Sequence, residues 1–203
     1  MTTLRSFDFL DRLQPQTMCY LGSMVRGFLP RANDAAMIIE IAPGLDVEWL
    51  TDTVLKEVDV KPGVLMVERQ FGYLEFHARH AASVKAAGAA ILQALGLSSP
   101  EVPPRQILAS RQIDRVDSLH SFLVNRNKSG SMLLPGQSLF LLETTPAAGA
   151  LLAANEAEKA AAITLVDCRF MGASGRLYVS GTESAVRAAG EAAIAALTPR
   201  VGG

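Results

Sequence analysis

An acidic and a basic residue stand side by side at the end of a strand-like run in the first half of the chain. The apolar run 65–67 is followed by Glu68 and Arg69, then shortly by an aromatic residue and a glycine. A comparable stretch in the second half, 166–172, keeps the run, an arginine and the glycine but has Cys168 where the first half has Glu68. Two copies of one pattern that differ at one charged turn suggest that the turn has a function. Our hypothesis is a gate at a symmetry axis.

The other residue types that could do chemistry do not converge. His77 and His80 lie three residues apart near a predicted strand end, where they share no face, and no cysteine or acidic cluster completes a metal site. We interpret them as part of a solvated loop, and His120 as a surface residue at the start of a helix. Neither Cys19 nor Cys168 has a neighbouring histidine, and no phosphate loop, dinucleotide fingerprint or nucleophile elbow occurs. We therefore predict no enzyme, with no catalytic residue, no metal and no cofactor.

Composition excludes several partners. The chain has 203 residues, 49% of them hydrophobic, and a formal net charge of −1. A net charge so close to zero creates no long-range field that would attract nucleic acid or an anionic membrane. The apolar runs are shorter than the roughly 20 residues of a membrane helix, and the first residues do not resemble a signal peptide. Two cysteines without a pairing motif favour the reducing cytoplasm.

The chain is a duplication. Residue types recur at an offset of 103, as in the pairs Gly27 and Gly130, Glu40 and Glu143, Pro43 and Pro146, and Lys56 and Lys159. The offset falls to 100 at Arg69 and Arg169 and at Gly72 and Gly172, which we attribute to three extra residues near 61–63 in the first copy. It recovers to 102 in the last predicted helix. So many matches in nearly one register indicate two copies of one domain.

Each copy has the same order of elements: a strand, a poorly periodic segment, a buried strand, a helix, a strand hairpin and an alanine-rich helix. The buried strands, 36–41 and 138–142, are apolar over most of their length, which is typical of inner strands. Pro43 and Pro146 are predicted to open the middle helix. Serine and proline mark 98–105 as a linker between a first domain, 1–97, and a second, 106–203. We predict an α/β fold of two tandem domains, each a mixed or antiparallel sheet with helices.

Several stretches of the chain resemble a known family. They are 9–16, 26–30, 67–72, 142–144 and 153–160, and they are similar to the tandem-domain, trimeric shell proteins of bacterial microcompartments, of the double-layered type found in carboxysomes. The resemblance covers nearly the whole chain, in order. It also indicates the circularly permuted form of the ferredoxin-like shell domain, because the strand that usually ends the domain comes first in each copy.

The resemblance implies a structural role in the cytoplasm, in the shell of a bacterial microcompartment. The chain would form a homotrimer of hexagonal outline, able to stack as a pair of trimers, and would contact other shell proteins. Small-molecule metabolites would cross a central pore gated by Glu68 and Arg69. The implied pore-lining residues are Gln70, Phe71, Gly72, Tyr73, Phe170, Met171, Gly172, Ala173, Ser174 and Gly175. Lys56 and Lys159 match the edge lysine that packs one tile against the next, although Asp59 and Ala162 replace the asparagine that often follows it.

The gate hypothesis also has a physical basis. Around a threefold axis Glu68 and Arg69 would each occur three times, and neighbours in an extended chain point to opposite sides, so only one of them can face the axis at a time. Rotation of the turn would exchange the charges, with Gly72 expected to supply the backbone freedom. The competing interpretation of the pair is a static salt bridge that holds the trimer together. For the whole chain, the alternatives are a trimeric ferredoxin-like regulator that binds a metabolite between domains and, less favoured, an enzyme.

Overall fold

The computed structural model describes residues 2–198, and the chain divides into two compact units between Pro104 and Arg105. The first unit contains β1 (Thr3–Leu10), α1 (Pro15–Met24), β2 (Ala35–Ala42), α2 (Asp46–Glu57), β3 (Lys61–Glu68), β4 (Phe71–Ala78) and α3 (Ala81–Ala94). The second contains β5 (Gln106–Ile113), α4 (Ser118–Asn127), β6 (Ser138–Thr145), α5 (Gly149–Ala160), β7 (Thr164–Arg169), β8 (Gly175–Gly181) and α6 (Glu183–Leu197). No helix among residues 2–198 is long and apolar enough to span a bilayer. The α/β class with two tandem domains is confirmed.

Each unit is built on a four-stranded sheet. The strand order is β1-β2-β4-β3 in the first and β5-β6-β8-β7 in the second, and every neighbouring pair is antiparallel. The inner strand β2 is buried at every position but the last, which confirms the prediction made from its apolar run. The sheets are therefore antiparallel rather than mixed.

The core of the first unit lies between one face of its sheet and the helices α2 and α3. Leu74 and Phe76 of β4 pack there with Leu50, Val84 and Ile91. Because side chains alternate along a strand, Tyr73, Glu75 and His77 point to the opposite face of the sheet. They are buried there as well. Both faces of this sheet are thus covered, and the second face carries polar groups.

The structure defines two segments that the sequence pattern left open and corrects one expectation about local structure. The poorly periodic segments are the helices α1 and α4, which begin with Pro15 at the first turn and with the Asp117 side chain accepting a hydrogen bond from Leu119 N–H. Pro43 and Pro146 do not open helices. They follow β2 and β6 in cis peptide bonds, and α2 and α5 begin three residues later. A residue without an N–H ends a strand as readily as it begins a helix.

The two domains share one register from their first strand through their hairpin. Ile41 pairs with Gly72 between β2 and β4, and Thr144 pairs with Gly175 between β6 and β8, so both partners are shifted by 103. The bulge in the hairpin also falls at the same place, between Pro62 and Val64 in the first domain and between Leu165 and Asp167 in the second.

The predicted three-residue insertion near 61–63 is therefore wrong. Gly72 corresponds to Gly175, and the charged residues Glu68 and Arg69 correspond to Met171 and Gly172. The recurrence of an arginine and a glycine at an offset of 100 is a coincidence of residue type, whereas strand pairing and the shared bulge set the register.

Candidate functional site

The charged turn is the tip of the β3–β4 hairpin. Glu68 pairs with Phe71 across the hairpin, and Arg69 and Gln70 form the two-residue turn. Arg69 has a φ of +56°, in the left-handed region where glycine, asparagine and aspartate are usual. The Arg69 side chain is 83% exposed and that of Glu68 is 46% exposed, with Arg69 Nε 3.8 Å from Glu68 Oε1. Such a loose, exposed pair contributes only about 0–1 kcal/mol, so it can be broken and re-formed readily.

The base of this hairpin is held firmly. The Arg5 guanidinium lies 4.0 Å from the centre of the Phe71 ring, within cation–π range. Arg5 Nε also donates to Glu40 Oε1 at 2.7 Å, and Glu40 is fully buried in β2. Phe71 is thereby tied through Arg5 to the inner strand of the sheet.

Gly72 strengthens this base rather than acting as a hinge. A Cβ at Gly72 would lie 2.3 Å from Gly44 O and 2.9 Å from the Cβ of Val47. A Cβ at Gly44 would in turn meet the backbone of Phe71 at 2.7 Å. The two glycines let the loop after β2 approach β4 closely. The expected role of Gly72 in backbone rotation is therefore wrong, and the residue with the unusual backbone conformation is Arg69.

The corresponding turn in the second domain is neutral. Gly172 stands where the first domain has Arg69 and has a φ of +110°, with no atom close enough to obstruct a Cβ. Ser174 Oγ and Arg176 Nε both donate to Glu143 Oε1, at 2.5 Å and 3.3 Å, and these contacts, the serine first, hold the pKa of Glu143 below its usual range. Glu143 occupies the position of Glu40, so one glutamate steadies the hairpin base in each domain through different partners.

Only some of the predicted pore-lining residues are exposed at the two turns. Tyr73 and Phe170 are 0% and 1% exposed, so each is buried in its own domain and does not face an opening in this conformation. Gly72 and Gly175 also lie in buried strand positions. The exposed and half-buried residues at the two tips are Glu68, Arg69, Gln70, Phe71, Met171, Gly172, Ala173 and Ser174.

The two edge lysines occupy equivalent positions near the ends of α2 and α5 but differ in environment. The Lys56 side chain is 73% exposed and pairs with Asp52 on its own helix. The Lys159 side chain is 21% exposed, and its Nζ lies 2.7 Å from Glu156 Oε1. Each lysine thus pairs with an acid on its own helix, and Lys56 is the more exposed of the two.

The histidines and cysteines are dispersed, with one correction to the expectation. His80 and His120 are exposed, as is Cys19, while Cys168 is buried. His77 does not lie in a solvated loop: it is 3% exposed on β4 beside the buried Glu75. Nothing in the sequence marks Glu75 as a site residue, because a glutamate that alternates with apolar residues is typical of a solvent-facing strand position.

Comparison with known proteins identifies the family. Residues 4–101 match the CsoS1D N-terminal domain, and residues 138–202 match the BMC domain. The carboxysome shell protein CcmP of Synechococcus elongatus is 43% identical over 194 residues, which cover 96% of this chain and 91% of the relative. The chain belongs to the bacterial microcompartment shell proteins. This finding confirms the resemblance on which the expectations about the turns and edges rest.

Solved structures of other shell proteins show the same architecture. The fused permuted hexameric shell protein MSM0275 from the RMM microcompartment is 60% identical, with a TM-score of 0.93 and 96% of each chain covered. The double ringed trimeric shell protein MSM0271 from the same compartment is 39% identical, with a TM-score of 0.93 over 97% of this shell protein and 96% of that chain. The permuted tandem arrangement is thus confirmed.

Proposed function

We propose that this shell protein is a tile of a bacterial microcompartment shell, in which three chains close a ring of hexagonal outline around a pore. The names of the 60% and 39% identical relatives describe a fused permuted hexameric and a trimeric shell protein, which supports such a ring. Matches of this kind favour a tile over a trimeric ligand-binding regulator and over an enzyme. The tile would lie beside other shell proteins and let small metabolites pass.

The observation that carries the pore proposal is an exposed, charged turn on a clamped base. Arg5, Phe71 and the Gly44–Gly72 contact restrain the hairpin up to its last pair, so rearrangement is confined to the turn at 69–70 and to the side chain of Glu68. The Glu68–Arg69 pair within that segment is loose and exposed. Three such turns on one axis would switch between a state in which the charges pair and a state in which they retreat, because like charges repel when crowded. The neutral turn of the second domain would line the same pore without switching.

The gate is tested by neutralising the turn. The double variant Glu68→Gln with Arg69→Gln should populate one pore conformation only, because it has no charges left to pair or to repel. The matched control is Glu183→Gln with Arg187→Gln, an exposed ion pair of 2.6 Å on α6, which the whole length of β8 separates from the second-domain turn. Cryo-electron microscopy with classification of particles at the threefold axis gives the population of each pore state.

The wild-type protein and the control should both show two classes at the turn. A single turn conformation in the wild type, unchanged in the neutral variant, would refute switching and favour a static salt bridge. If the particles are not trimers at all, the tile itself is refuted, which separates the two parts of the proposal.

The edge lysines are proposed to differ in importance. Both lysines pair with an acid on their own helix, but the Lys56–Asp52 pair is exposed and contributes little, so Lys56 can exchange its partner for one on a neighbouring tile. Lys159 is mostly buried beside Glu156 and is less available. Lys56→Ala should therefore abolish flat sheets of tiles, and Lys159→Ala should weaken them less. Negative-stain microscopy of purified protein measures sheet formation, with Lys85→Ala on α3 as a control for loss of one positive charge. Equal effects of the Lys56 and Lys159 variants would contradict this distinction.

A further inference from the structure

The first domain contains a buried pair of titratable side chains that the pore does not use. Glu75 and His77 lie on the same face of β4 and are 0% and 3% exposed. Their Oε1 and Nδ1 atoms are 3.0 Å apart. Burying a carboxyl group carries a large desolvation cost, and here burial raises the pKa of Glu75 despite the opposing hydrogen bond and charge of His77. Strongly perturbed buried groups of this kind are concentrated at binding sites.

Space for the pair is made by a glycine. A Cβ at Gly63 would lie 2.2 Å from Glu75 Oε2. The strand register places Val166 at the position of Gly63 in the second domain, and Tyr178 and Ser180 at those of Glu75 and His77. The room, the carboxyl and the imidazole are therefore all present in one domain and all absent from the other. The sheet itself does not need them, because the second domain builds the same sheet without them.

His77 lies in the wall of a cavity of about 650 Å³ at the end of β4. The cavity is lined by Lys61, by residues 28–29 and 31–34, and by residues 77–79. Its charged lining groups are three cations, Arg31, Lys61 and Arg79, and one acid, Asp34. The carboxylate of Asp34 already accepts a hydrogen bond from the backbone N–H of Arg31, with an N to Oδ2 distance of 3.0 Å. Lys61 Nζ lies 3.0 Å from Asp59, which is outside the lining. The excess of positive charge suits an anionic ligand.

The positions of the protons on Glu75 and His77 determine whether the inner wall of the cavity presents a hydrogen-bond donor or an acceptor. Nδ1 of His77 is engaged by Glu75, which leaves Nε2 for a ligand. When the pair holds two protons, Nε2 carries a hydrogen whether the other proton sits on the carboxyl or on Nδ1. When the pair holds one proton, on Nδ1, Nε2 is an acceptor. Protonation of the pair therefore converts the inner wall into a donor that suits an anion.

We propose that this cavity is an anion-binding site of the first domain, which takes a small compound bearing a carboxylate or a phosphate group. His77 Nε2–H is the inner donor, Glu75 fixes the imidazole, and Arg31, Lys61 and Arg79 hold the charge at the rim. The site stands at the opposite end of β3 and β4 from the charged turn, roughly 23 Å away for seven residues of extended chain. It is independent of the pore proposal.

The test uses the full-length protein in its native assembly, labelled with ¹⁵N-histidine. Inorganic phosphate and, separately, malonate are titrated while the imidazole signals are recorded by NMR. His77, His80 and His120 give three signals, and the variant His77→Ser assigns the first. A saturable shift of the His77 signal is expected. Binding should tighten as the pH falls, because burial raises the pKa of Glu75 and the protonated carboxyl donates to Nδ1, which keeps the hydrogen on Nε2.

The variants separate the roles of the residues. His77→Ser introduces the residue that the second domain already holds at this position, and it should weaken anion binding about tenfold or more through loss of a hydrogen bond to a charged group. Glu75→Gln should keep binding but lose the part of the pH dependence that exceeds the ionisation of the probe itself, because the amide N–H₂ donates to Nδ1 and holds the hydrogen on Nε2. Lys85→Gln, an exposed charge on α3 outside the cavity, should change nothing.

The two probes distinguish the source of the anion. A response to phosphate alone identifies a phosphate-bearing ligand, and a response to malonate alone identifies a carboxylate. The proposal is overturned if neither probe moves the His77 signal, or if His77→Ser binds the responding probe as tightly as the wild type.

Discussion

Replacing Gly72 by alanine distinguishes a structural glycine from a hinge. The added Cβ would lie 2.3 Å from Gly44 O and 2.9 Å from the Cβ of Val47. Neither atom is the end of a flexible side chain, so the loop after β2 must move away from β4 by roughly 1 Å to restore an ordinary contact. Overpacking of this kind costs about 1–3 kcal/mol in the free energy of unfolding.

Urea unfolding measures this loss. The only tryptophan, Trp49, lies on α2 of the first domain, so its fluorescence reports the unfolding of that domain. A loss of about 1–3 kcal/mol corresponds to a fall in the midpoint of about 1 M urea for a domain of this size. Protein concentration is kept equal throughout, because assembly also stabilises the folded state.

Gly96 provides the matched control. It has a φ of +71°, but nothing lies within 4 Å of a Cβ built there. Gly96→Ala should lose only about 1 kcal/mol, from the backbone conformation alone. A Gly72→Ala protein as stable as the wild type would refute the close-contact argument and restore Gly72 as a hinge.

Three further predictions follow from single residues. Arg69→Gly should raise the free energy of unfolding by about 1 kcal/mol, because it removes a side chain from a left-handed backbone position. Gln70→Gly should lower the free energy of unfolding by about 0.5–1 kcal/mol. If both variants lose stability, the backbone of Arg69 is not strained. Burial holds the pKa of Glu75 above its ordinary value of 4.5, so the native state binds that proton more tightly than the unfolded state does. The wild-type stability should therefore fall relative to Glu75→Gln as the pH rises from 4.5 through the folded pKa, and a flat difference between the two urea curves would refute this. In a Cys19→Ser background, Cys168 should resist thiol reagents until urea unfolds the chain. Burial, and to a smaller extent the neighbouring charge of Asp167, raise the pKa of the Cys168 thiol. Rapid labelling of the native protein would disprove this prediction.

The strands and the duplication could be predicted because they depend on apolar patterning. The inner strand β2 is apolar over most of its length and is buried accordingly. Only the start of α4, near His120, could be predicted, because among the residues of this helix only Ser121 is buried and the segment has no clear apolar stripe. A helix that buries few side chains has no apolar periodicity by which its full length could be predicted.

The charged turn could be found from residue types, but its partner in the second domain could not. Matching Arg69 with Arg169 placed a surface turn on a strand residue, and only the pairing of Ile41 with Gly72 and of Thr144 with Gly175 set the true register. The buried pair on β4 was missed for a related reason. Alternation of polar and apolar residues marks the two faces of a strand, but it does not show whether the polar face meets water or a second layer of protein.

The presence of both domains in one chain has a consequence for how a cell makes this shell protein. Because the charged and the neutral turn are translated as parts of one polypeptide, they are always supplied in equal numbers, whatever the level of expression. If two separate single-domain proteins supplied them, rings would form with every mixture of the two, and few would alternate regularly. The fusion of the two domains therefore fixes their ratio at one to one. Each domain can also acquire substitutions without altering the other.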